Sequence, residues 1–257
     1  APQPTSQPTS QPTSPPAAPA NPAERPVKVT VEGDLFDGTE AVTVAAGLKF
    51  AEGPLYRPDG SLVVCDLQAD TVYTVNLNDG KSARTPEKGV DVLRNPSGRA
   101  AGSAMDAQGR LVFTQFDGSL TRLDKDGKLT VLASECEGKK FNMLNDLAIG
   151  PDGSVYFSDF GSGKDDHLDH CGIYRFSPEG KVSTLAKDVT APNGIALSAD
   201  GKTLYAALYR DAKIMAYDLA DGALSNGRVF AEVKDSALPG RSSPDGLKLD
   251  AKGNVWT

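Results

Sequence analysis

The sequence is short of the residues that build several common kinds of site. Its three cysteines, Cys65, Cys136 and Cys171, form no C-x-x-C pair, which argues against a zinc ribbon or a thioredoxin-type redox centre. A single disulfide between Cys136 and Cys171 is an option that the sequence leaves open. The formal net charge is −7 and no basic cluster interrupts it, so we expect no nucleic-acid partner. No apolar run is long enough to cross a bilayer, and we therefore expect no transmembrane segment.

The first 26 residues lack aromatic and β-branched aliphatic side chains. They hold nine of the 18 prolines and three consecutive QPTS units. With nothing apolar to bury, such a segment cannot offset the entropy of ordering. We predict a Pro/Thr/Ser-rich disordered linker over 1–26 and one folded domain over 27–257. A spacer of this kind is typical of exported proteins, so we expect a periplasmic or extracellular location, with tethering to the envelope through the linker.

A repeat of about 48 residues runs through the rest of the chain. Each unit has a short apolar strand, a turn ending in glycine, and an alternating β-rich strand. The turn glycines are Gly60, Gly109, Gly153, Gly201 and Gly253, at spacings of 49, 44, 48 and 52 residues. Further hairpin signals predict four antiparallel strands in each unit, and no stretch shows helical periodicity over helical length. This pattern predicts an all-β propeller. A solenoid of β-hairpins is the structural alternative.

The number of repeats does not complete a ring. The chain stops at Thr257, inside the second strand of its fifth unit, so we expect the last blade to be missing or incomplete. The segment EAVTVAAG, which starts at Glu40, is a candidate outer strand for closing the last blade.

The repeat also brings polar residues into register. In each unit, one position lies seven residues before the residue that precedes the turn glycine. In the five units this position holds Glu52, Ala101, Asn145, Asn193 and Asp245. Equivalent positions of a radial repeat face the same axial tunnel, so these side chains are expected to meet there. Carboxylate and amide oxygens without thiol or imidazole favour a hard cation. Ca²⁺ suits side chains from separate blades better than Mg²⁺, which demands a tight octahedron. The alternative is that these residues are ordinary turn and strand-start residues.

Several runs resemble the gluconolactonase, regucalcin and luciferin-regenerating-enzyme family. They are AEGP from Ala51, LND with DGSVYFSD from Leu144, APNGIALSADGKTLY from Ala191, and SPDGLKLDAKGNVW from Ser243. The resemblance covers roughly residues 40–257. It implies a six-bladed β-propeller of four-stranded antiparallel blades, with Ca²⁺ or another divalent cation (Mg²⁺, Mn²⁺ or Zn²⁺) in the central tunnel.

The resemblance also implies roles for the residues in register. Glu52, Asn193 and Asp245 match metal ligands of the family, and Asp245 is also the candidate general base. Asn145 matches a residue that contacts metal, water or substrate. One departure concerns substrate: sugar-lactone members have an arginine two positions before that asparagine, where this chain has Met143. Aldonolactone specificity is therefore not carried over.

These features predict an enzyme that hydrolyses a small lactone, such as a sugar lactone, with a metal-polarised carbonyl and Asp245 as base. The partner is thus a small-molecule substrate, and we expect a monomer or weak oligomer. Two alternatives stay open. One is a phosphotriesterase-like esterase on the same site, and the other is a non-catalytic ligand-binding or scaffold propeller of the cell envelope.

Several further residues are expected near the predicted tunnel. We predict that Met143, His167 and Arg241 join Asn145 in substrate binding, although a solvated loop for His167 and a surface position for Arg241 are the simpler interpretations. Asp66, Gln115 and Asp159 share a second repeat phase, six residues after the turn glycine. Capping of strand ends is the favoured role for these three.

Overall fold

The computed structural model describes residues 43–77, 84–85, 89–161, 166–233 and 243–257. The predicted linker over 1–26, and the start of the predicted folded domain, lie outside these residues. Among the described residues the secondary structure is all strand, and no helix capable of spanning a membrane occurs there.

Four four-stranded antiparallel sheets and two two-stranded sheets are present in the described residues. Each four-stranded sheet is made of consecutive strands. The first contains β1 (Ala51–Tyr56), β2 (Ser61–Asp66), β3 (Thr71–Asn76) and β4 (Val90–Arg94). The second contains β5 (Ala100–Met105), β6 (Leu111–Gln115), β7 (Leu120–Leu123) and β8 (Leu129–Ala133). A small hairpin, β9 (Glu135–Cys136) and β10 (Lys139–Lys140), follows the second sheet.

The third sheet contains β11 (Leu144–Ile149), β12 (Val155–Asp159), β13 (Gly172–Phe176) and β14 (Val182–Ala186). The fourth contains β15 (Pro192–Leu197), β16 (Thr203–Leu208), β17 (Lys213–Ala220) and β18 (Ala223–Glu232). A two-stranded sheet, β19 (Lys248–Leu249) and β20 (Val255–Trp256), comes last. We call the four four-stranded sheets blades 1 to 4 and the β19–β20 sheet blade 5. The predicted all-β architecture of four-stranded antiparallel blades is confirmed.

The first strands of successive blades are neighbours, with β1 against β5, β5 against β11, β11 against β15, and β15 against β19. This is the radial order of a propeller, and it puts the first strand of every blade innermost. Blade 5 has two strands, and no strand pairing joins it to blade 1 within the described part of the chain. A six-bladed ring therefore stays a prediction.

The hairpin turns form for the reason that the sequence predicts. In blade 3 the Gly153 N–H donates to the Gly150 carbonyl at 2.9 Å, and Gly153 has a φ of 83°, which glycine adopts without strain. The Asp152 carboxylate accepts the Ser154 N–H at 2.9 Å. The turns of the other blades repeat this arrangement, so each D-G or x-G pair sets the register of its hairpin.

The core lies between adjacent blades. Between blades 2 and 3, Phe141, Phe157 and Tyr174 are fully buried, with ring centroids 5.0 to 5.7 Å apart. All three cysteines are free, so the disulfide left open between Cys136 and Cys171 is not formed. Cys136 instead lies 3.4 Å from the Thr184 hydroxyl, and the Cys171 thiol donates to the Phe160 carbonyl.

The segment considered as an outer strand for the last blade is described from residue 43 onward. Its described part lies against blade 1, where Ala45 and Arg84 form a parallel β-bridge. The Ala46 N–H also donates to the Arg84 carbonyl at 2.7 Å. Ala45 and Leu48 pack on the buried Val64, Tyr73 and Val75. These contacts bury apolar side chains on blade 1, and the role of the segment as an outer strand of the last blade stays a prediction.

Candidate active site

One cavity of about 390 Å³ lies where the innermost strands meet. Its lining includes all five residues of the shared repeat position: Glu52, Ala101, Asn145, Asn193 and Asp245. The structure thus brings the four predicted donors to one place, beside an alanine that offers no side-chain oxygen.

A β-bulge in the innermost strand of blades 1 to 4 aims these side chains at the cavity. In blade 3, Leu144 pairs with Asp159 and Leu147 with Phe157, so that Asn145 and Asp146 together face Ser158. The same irregularity occurs in blades 1, 2 and 4, at or beside Glu52, Ala101 and Asn193. Bulges are a common means of re-aiming a side chain next to an active site.

Hydroxyl groups on the second strands link one bulge to the next blade. Thr114 accepts the Gly102 N–H at 3.0 Å and donates to the Asn145 carbonyl at 2.6 Å. Ser158 accepts the Asp146 N–H at 3.1 Å and donates to the Asn193 carbonyl at 2.6 Å. We call the Thr114 and Ser158 hydroxyl groups, with these hydrogen bonds, the hydroxyl clamps. They fix the backbone of Asn145 and Asn193 from the preceding blade.

Blade 4 holds blade 5 by side-chain packing, in which Leu247 lies among Ala196, Ala207 and Ile214, and by a backbone contact at the cavity. The Gly194 N–H donates to the Asp245 carbonyl at 2.9 Å. A Cβ atom on Gly194 would lie about 2.5 Å from that oxygen, so only glycine permits this approach.

The cavity concentrates negative charge. Burial, and then the nearby Asp245 and Asp146 carboxylates, raise the pKa of Glu52 to about 7. Among the described residues that line the cavity, Lys248 is the one basic side chain, against Glu52, Asp146 and Asp245. Two formal negative charges are therefore left over, which is the charge that a divalent cation would balance.

The donors also fit a hard cation. The side-chain oxygen Oδ1 of Asn193 is buried and has no hydrogen-bond partner among the described residues, and a buried oxygen of this kind costs free energy until a ligand satisfies it. No group of three or more His, Cys, Asp and Glu side chains in the described ranges is arranged to hold a metal by itself. The amide oxygens of Asn145 and Asn193 would therefore have to complete the set begun by the two carboxylates.

Two further cavity residues were missed by sequence reasoning. Asp146 is buried and accepts the Leu147 N–H at 2.9 Å and the Ile195 N–H of the next blade at 3.2 Å. Lys248 Nζ lies 3.4 Å from both carboxylate oxygens of Asp146. This pair ties blades 3, 4 and 5 together at the cavity. The signal was present in the repeat, because the position after each donor is glycine in every blade except blade 3.

Two of the predicted substrate-binding residues, Met143 and His167, lie outside the cavity lining. Met143 is half-buried, and its terminal methyl group Cε lies beside Gly161 in the loop after β12. His167 lies in the loop between β12 and β13, where it forms a parallel β-bridge with Lys140. Its Nδ1 atom lies 2.7 Å from the Asp166 carboxylate. Arg241 lies outside the described residues.

Two residues of the second repeat phase, Asp66 and Asp159, have the expected capping role, whereas Gln115 instead accepts the Thr121 hydroxyl at 2.6 Å. Asp66 accepts the backbone N–H groups of Lys49 and Phe50, at 2.7 and 3.0 Å. Asp159 does the same for Asn142 and Met143, at 2.9 Å each. Each carboxylate holds the segment that leads into an innermost strand, as expected for a cap. Burial raises the pKa of Asp159 even though these hydrogen bonds oppose the shift.

Comparison with known proteins gives a consistent result. The sequence profile described as the SMP-30/Gluconolactonase/LRE-like region matches residues 50–257. The gluconolactonase of Zymomonas mobilis subsp. mobilis is 27% identical over 248 residues, which cover 85% of this chain and 67% of that protein. The structure of a gluconolactonase from Xanthomonas campestris is 32% identical, with a TM-score of 0.69 over 84% of this chain and 70% of that one.

A more distant structure shares the fold. The calcium-binding protein regucalcin from Agrobacterium tumefaciens is 22% identical, with a TM-score of 0.63 over 84% of this chain and 72% of that one. The chain spans 62% to 68% of the length of the first three curated relatives that it matches.

Proposed function

The chain belongs to the SMP-30/gluconolactonase/LRE-like family, and on that premise we propose that it is a divalent-cation-dependent hydrolase that opens a small lactone. The observation that carries the proposal is the cavity in which Glu52, Asn145, Asn193 and Asp245 meet beside the unpartnered Asn193 oxygen. The lactonases among its relatives support the reaction class.

Glu52, Asn193 and Asp245 would hold the cation, and Asn145 would share its oxygen between cation and substrate. Ca²⁺ is the cation that this oxygen-only set favours, because the donors come from separate blades and need no tight octahedral geometry. The calcium-binding description of the regucalcin neighbour agrees with that choice. When bound, the cation supplies a Lewis acid that polarises the lactone carbonyl and balances the charge developing on its oxygen.

The protein's own residues handle the proton and the orientation. Asp245 is exposed while its backbone is fixed by Gly194, so a carboxylate oxygen that does not bind the cation would take a proton from water as the water attacks the carbonyl carbon. The ring C–O bond then breaks, and the same proton passes to the departing ring oxygen. Water and lactone give one hydroxy acid. The amide of Asn145 orients the substrate, since the Thr114 clamp holds its backbone in place.

Removing the base is the direct test. We expect Asp245→Asn to lower kcat/KM for a small lactone by about 10³-fold, within the range for loss of a general base. Asp126→Asn, on an exposed turn between β7 and β8, is the matched control and should leave the rate unchanged. Thermal unfolding of both variants would show that the fold is retained.

The cation is tested separately. Activity should disappear in excess chelator and return on addition of Ca²⁺, with Mg²⁺, Mn²⁺ and Zn²⁺ compared at equal concentration. Full activity in chelator would overturn the role of the cation, and full activity of Asp245→Asn would overturn the role of the base. Failure to open any lactone with any of these cations would overturn the proposed reaction.

A further inference from the structure

We infer that the lactone opened here carries an aromatic or alkyl substituent, held by an apolar ring of side chains at the mouth of the cavity. This inference rests on the proposed function, because it specifies which lactone would enter the same cavity. The observation behind it is a second ring of repeat-related residues, two positions before each axial residue.

Backbone hydrogen bonds define this ring. In blades 1 to 4, one residue lies two positions before the axial residue Glu52, Ala101, Asn145 or Asn193. Its carbonyl accepts an N–H from the loop after the second strand of the same blade. The four bonds run from Leu67 to Phe50, Phe116 to Arg99, Phe160 to Met143 and Tyr209 to Ala191, at 2.9, 3.0, 3.0 and 3.1 Å. We call these eight residues the mouth ring.

The mouth ring lies next to the cavity. Two residues of extended chain span roughly 6 to 7 Å, so the ring is one layer outward from Glu52, Ala101, Asn145 and Asn193. The carboxylates that cap these same segments, Asp66 and Asp159, fix the layer from below. A substituent on a lactone held at the axial donors would therefore reach this layer.

The side chains of the mouth ring are almost entirely apolar. It has no carboxylate and no amide, and Arg99 and Tyr209 bring its two polar groups. Leu67 and Ala191 are buried, whereas Phe50 is 46% exposed and Tyr209 is 39% exposed. Exposed aromatic side chains one layer outward from the axial donors are available to contact a bound molecule.

The aromatic members are also arranged in pairs. Phe160 and Tyr209, from adjacent blades, meet edge to face with ring centroids 5.8 Å apart. The Arg99 guanidinium lies 5.4 Å from the centre of the Phe116 ring. These contacts hold the rings in place before substrate arrives, which lowers the entropy lost on binding.

The composition of the ring selects between classes of lactone. A polyhydroxylated ring gives up hydrogen bonds to water when it is bound, and each hydroxyl without a new partner costs affinity. The mouth ring offers Arg99 and Tyr209 alone for that purpose. A phenyl or alkyl substituent has no such need, and it gains contact with Phe50, Met143 and the Phe160–Tyr209 pair.

Two δ-lactones of equal ring size test the inference on the unaltered protein. One is glucono-δ-lactone, which is polyhydroxylated, and the other is a δ-valerolactone carrying a phenyl group. With Ca²⁺ present, we expect kcat/KM for the phenyl lactone to be at least about tenfold higher, mainly through a lower KM. Equal rates, or a preference for glucono-δ-lactone, would overturn the inference while leaving the proposed reaction intact.

Variants then assign the preference to the ring. Phe50→Ser and Tyr209→Ser should each reduce the ratio of the two kcat/KM values about three- to tenfold, the loss expected for one aromatic contact. Phe230→Ser is the matched control, because Phe230 is also an exposed aromatic residue in an edge-to-face pair, with Tyr205, but lies on the outer strand β18. It should leave the ratio unchanged. An unchanged ratio in both ring variants would overturn the inference. Hydrolysis of neither lactone with any divalent cation would instead overturn the proposed function.

Discussion

Blades 2 and 3 share one backbone arrangement and differ in chemistry. Both have a bulge in the innermost strand, and both use a second-strand hydroxyl to hold the next blade, Thr114 in one and Ser158 in the other. Yet the bulge carries Ala101 and Gly102 in blade 2, and Asn145 and Asp146 in blade 3. The scaffold of the site is therefore separable from its donors. A blade without donors still shapes the cavity and leaves room in it.

The largest effect should come from filling the space that blade 2 leaves at its bulge. A Cβ atom on Gly102 would lie about 2.7 Å from the Asn145 carbonyl oxygen and 2.8 Å from the Asp146 Cα atom. These are backbone atoms of the next blade and cannot move independently. We expect Gly102→Ala to lower the free energy of unfolding by about 3 kcal/mol, at the upper end for overpacking, as measured by denaturant titration.

The matched control lies at the same repeat position of blade 5. A Cβ atom on Gly246 would have no atom of the described residues within 4 Å, so Gly246→Ala should change the free energy of unfolding by less than about 0.5 kcal/mol. Equal losses in the two variants would show that the close approach of blades 2 and 3 is not what requires glycine.

The fold and the donors could be predicted from sequence because both repeat. Gly153 and its equivalents fix hairpins by local turn chemistry, and Asn145 and Asn193 share a phase with Glu52 that a radial fold converts into proximity. Asp146 departs from the glycine found at its repeat position in the other blades, but the role of the Asp146–Lys248 pair could not be predicted. Their pairing joins residues 102 positions apart, and it depends on how blades 3 and 5 approach each other.

The hydroxyl clamps were out of reach for a related reason. Thr114 and Ser158 look like ordinary strand residues until the bulge is known to place their hydroxyl groups between two blades. The mouth ring likewise depends on backbone contacts between a strand start and a distant loop. Thr114 and Ser158 do share a repeat phase, five residues after the turn glycine, but the period does not say which backbone group of the next blade a side chain will contact.

A second comparison sets Glu52 of blade 1 against Ala101 of blade 2, since only the former places a charge at the bulge. The pKa of Glu52 is raised from 4.5 to about 7. The folded state therefore holds its proton more tightly than the unfolded state does, and the stability of the cation-free protein falls as pH rises from about 4.5 to 7. The full shift corresponds to about 3 kcal/mol, which solvent screening of this half-buried group reduces to about 2 kcal/mol.

Glu52→Gln mimics the protonated carboxyl group at every pH. In excess chelator, we expect the variant to be more stable than the parent by about 2 kcal/mol at pH 8 and equally stable near pH 4.5. Denaturant titrations across this range measure the difference. Glu135→Gln, at an exposed position on the β9–β10 hairpin, controls for the loss of a surface charge. A gain that does not depend on pH would contradict the assignment to Glu52 ionisation.

The smallest effect should separate the two hydroxyl clamps from each other. Thr114→Val and Ser158→Ala each remove one donor and one acceptor from buried backbone partners, so each should cost about 1 kcal/mol of unfolding free energy. The consequences for the site differ. Ser158 fixes Asn193, whose buried side-chain oxygen has no partner among the described residues, whereas Thr114 fixes Asn145, which is less buried. Calorimetric titration should therefore show weaker Ca²⁺ binding in Ser158→Ala than in Thr114→Val. If both variants lost stability equally and bound Ca²⁺ as the parent does, the clamps would hold blades together without positioning the donors, and the likeness of blades 2 and 3 would be purely structural.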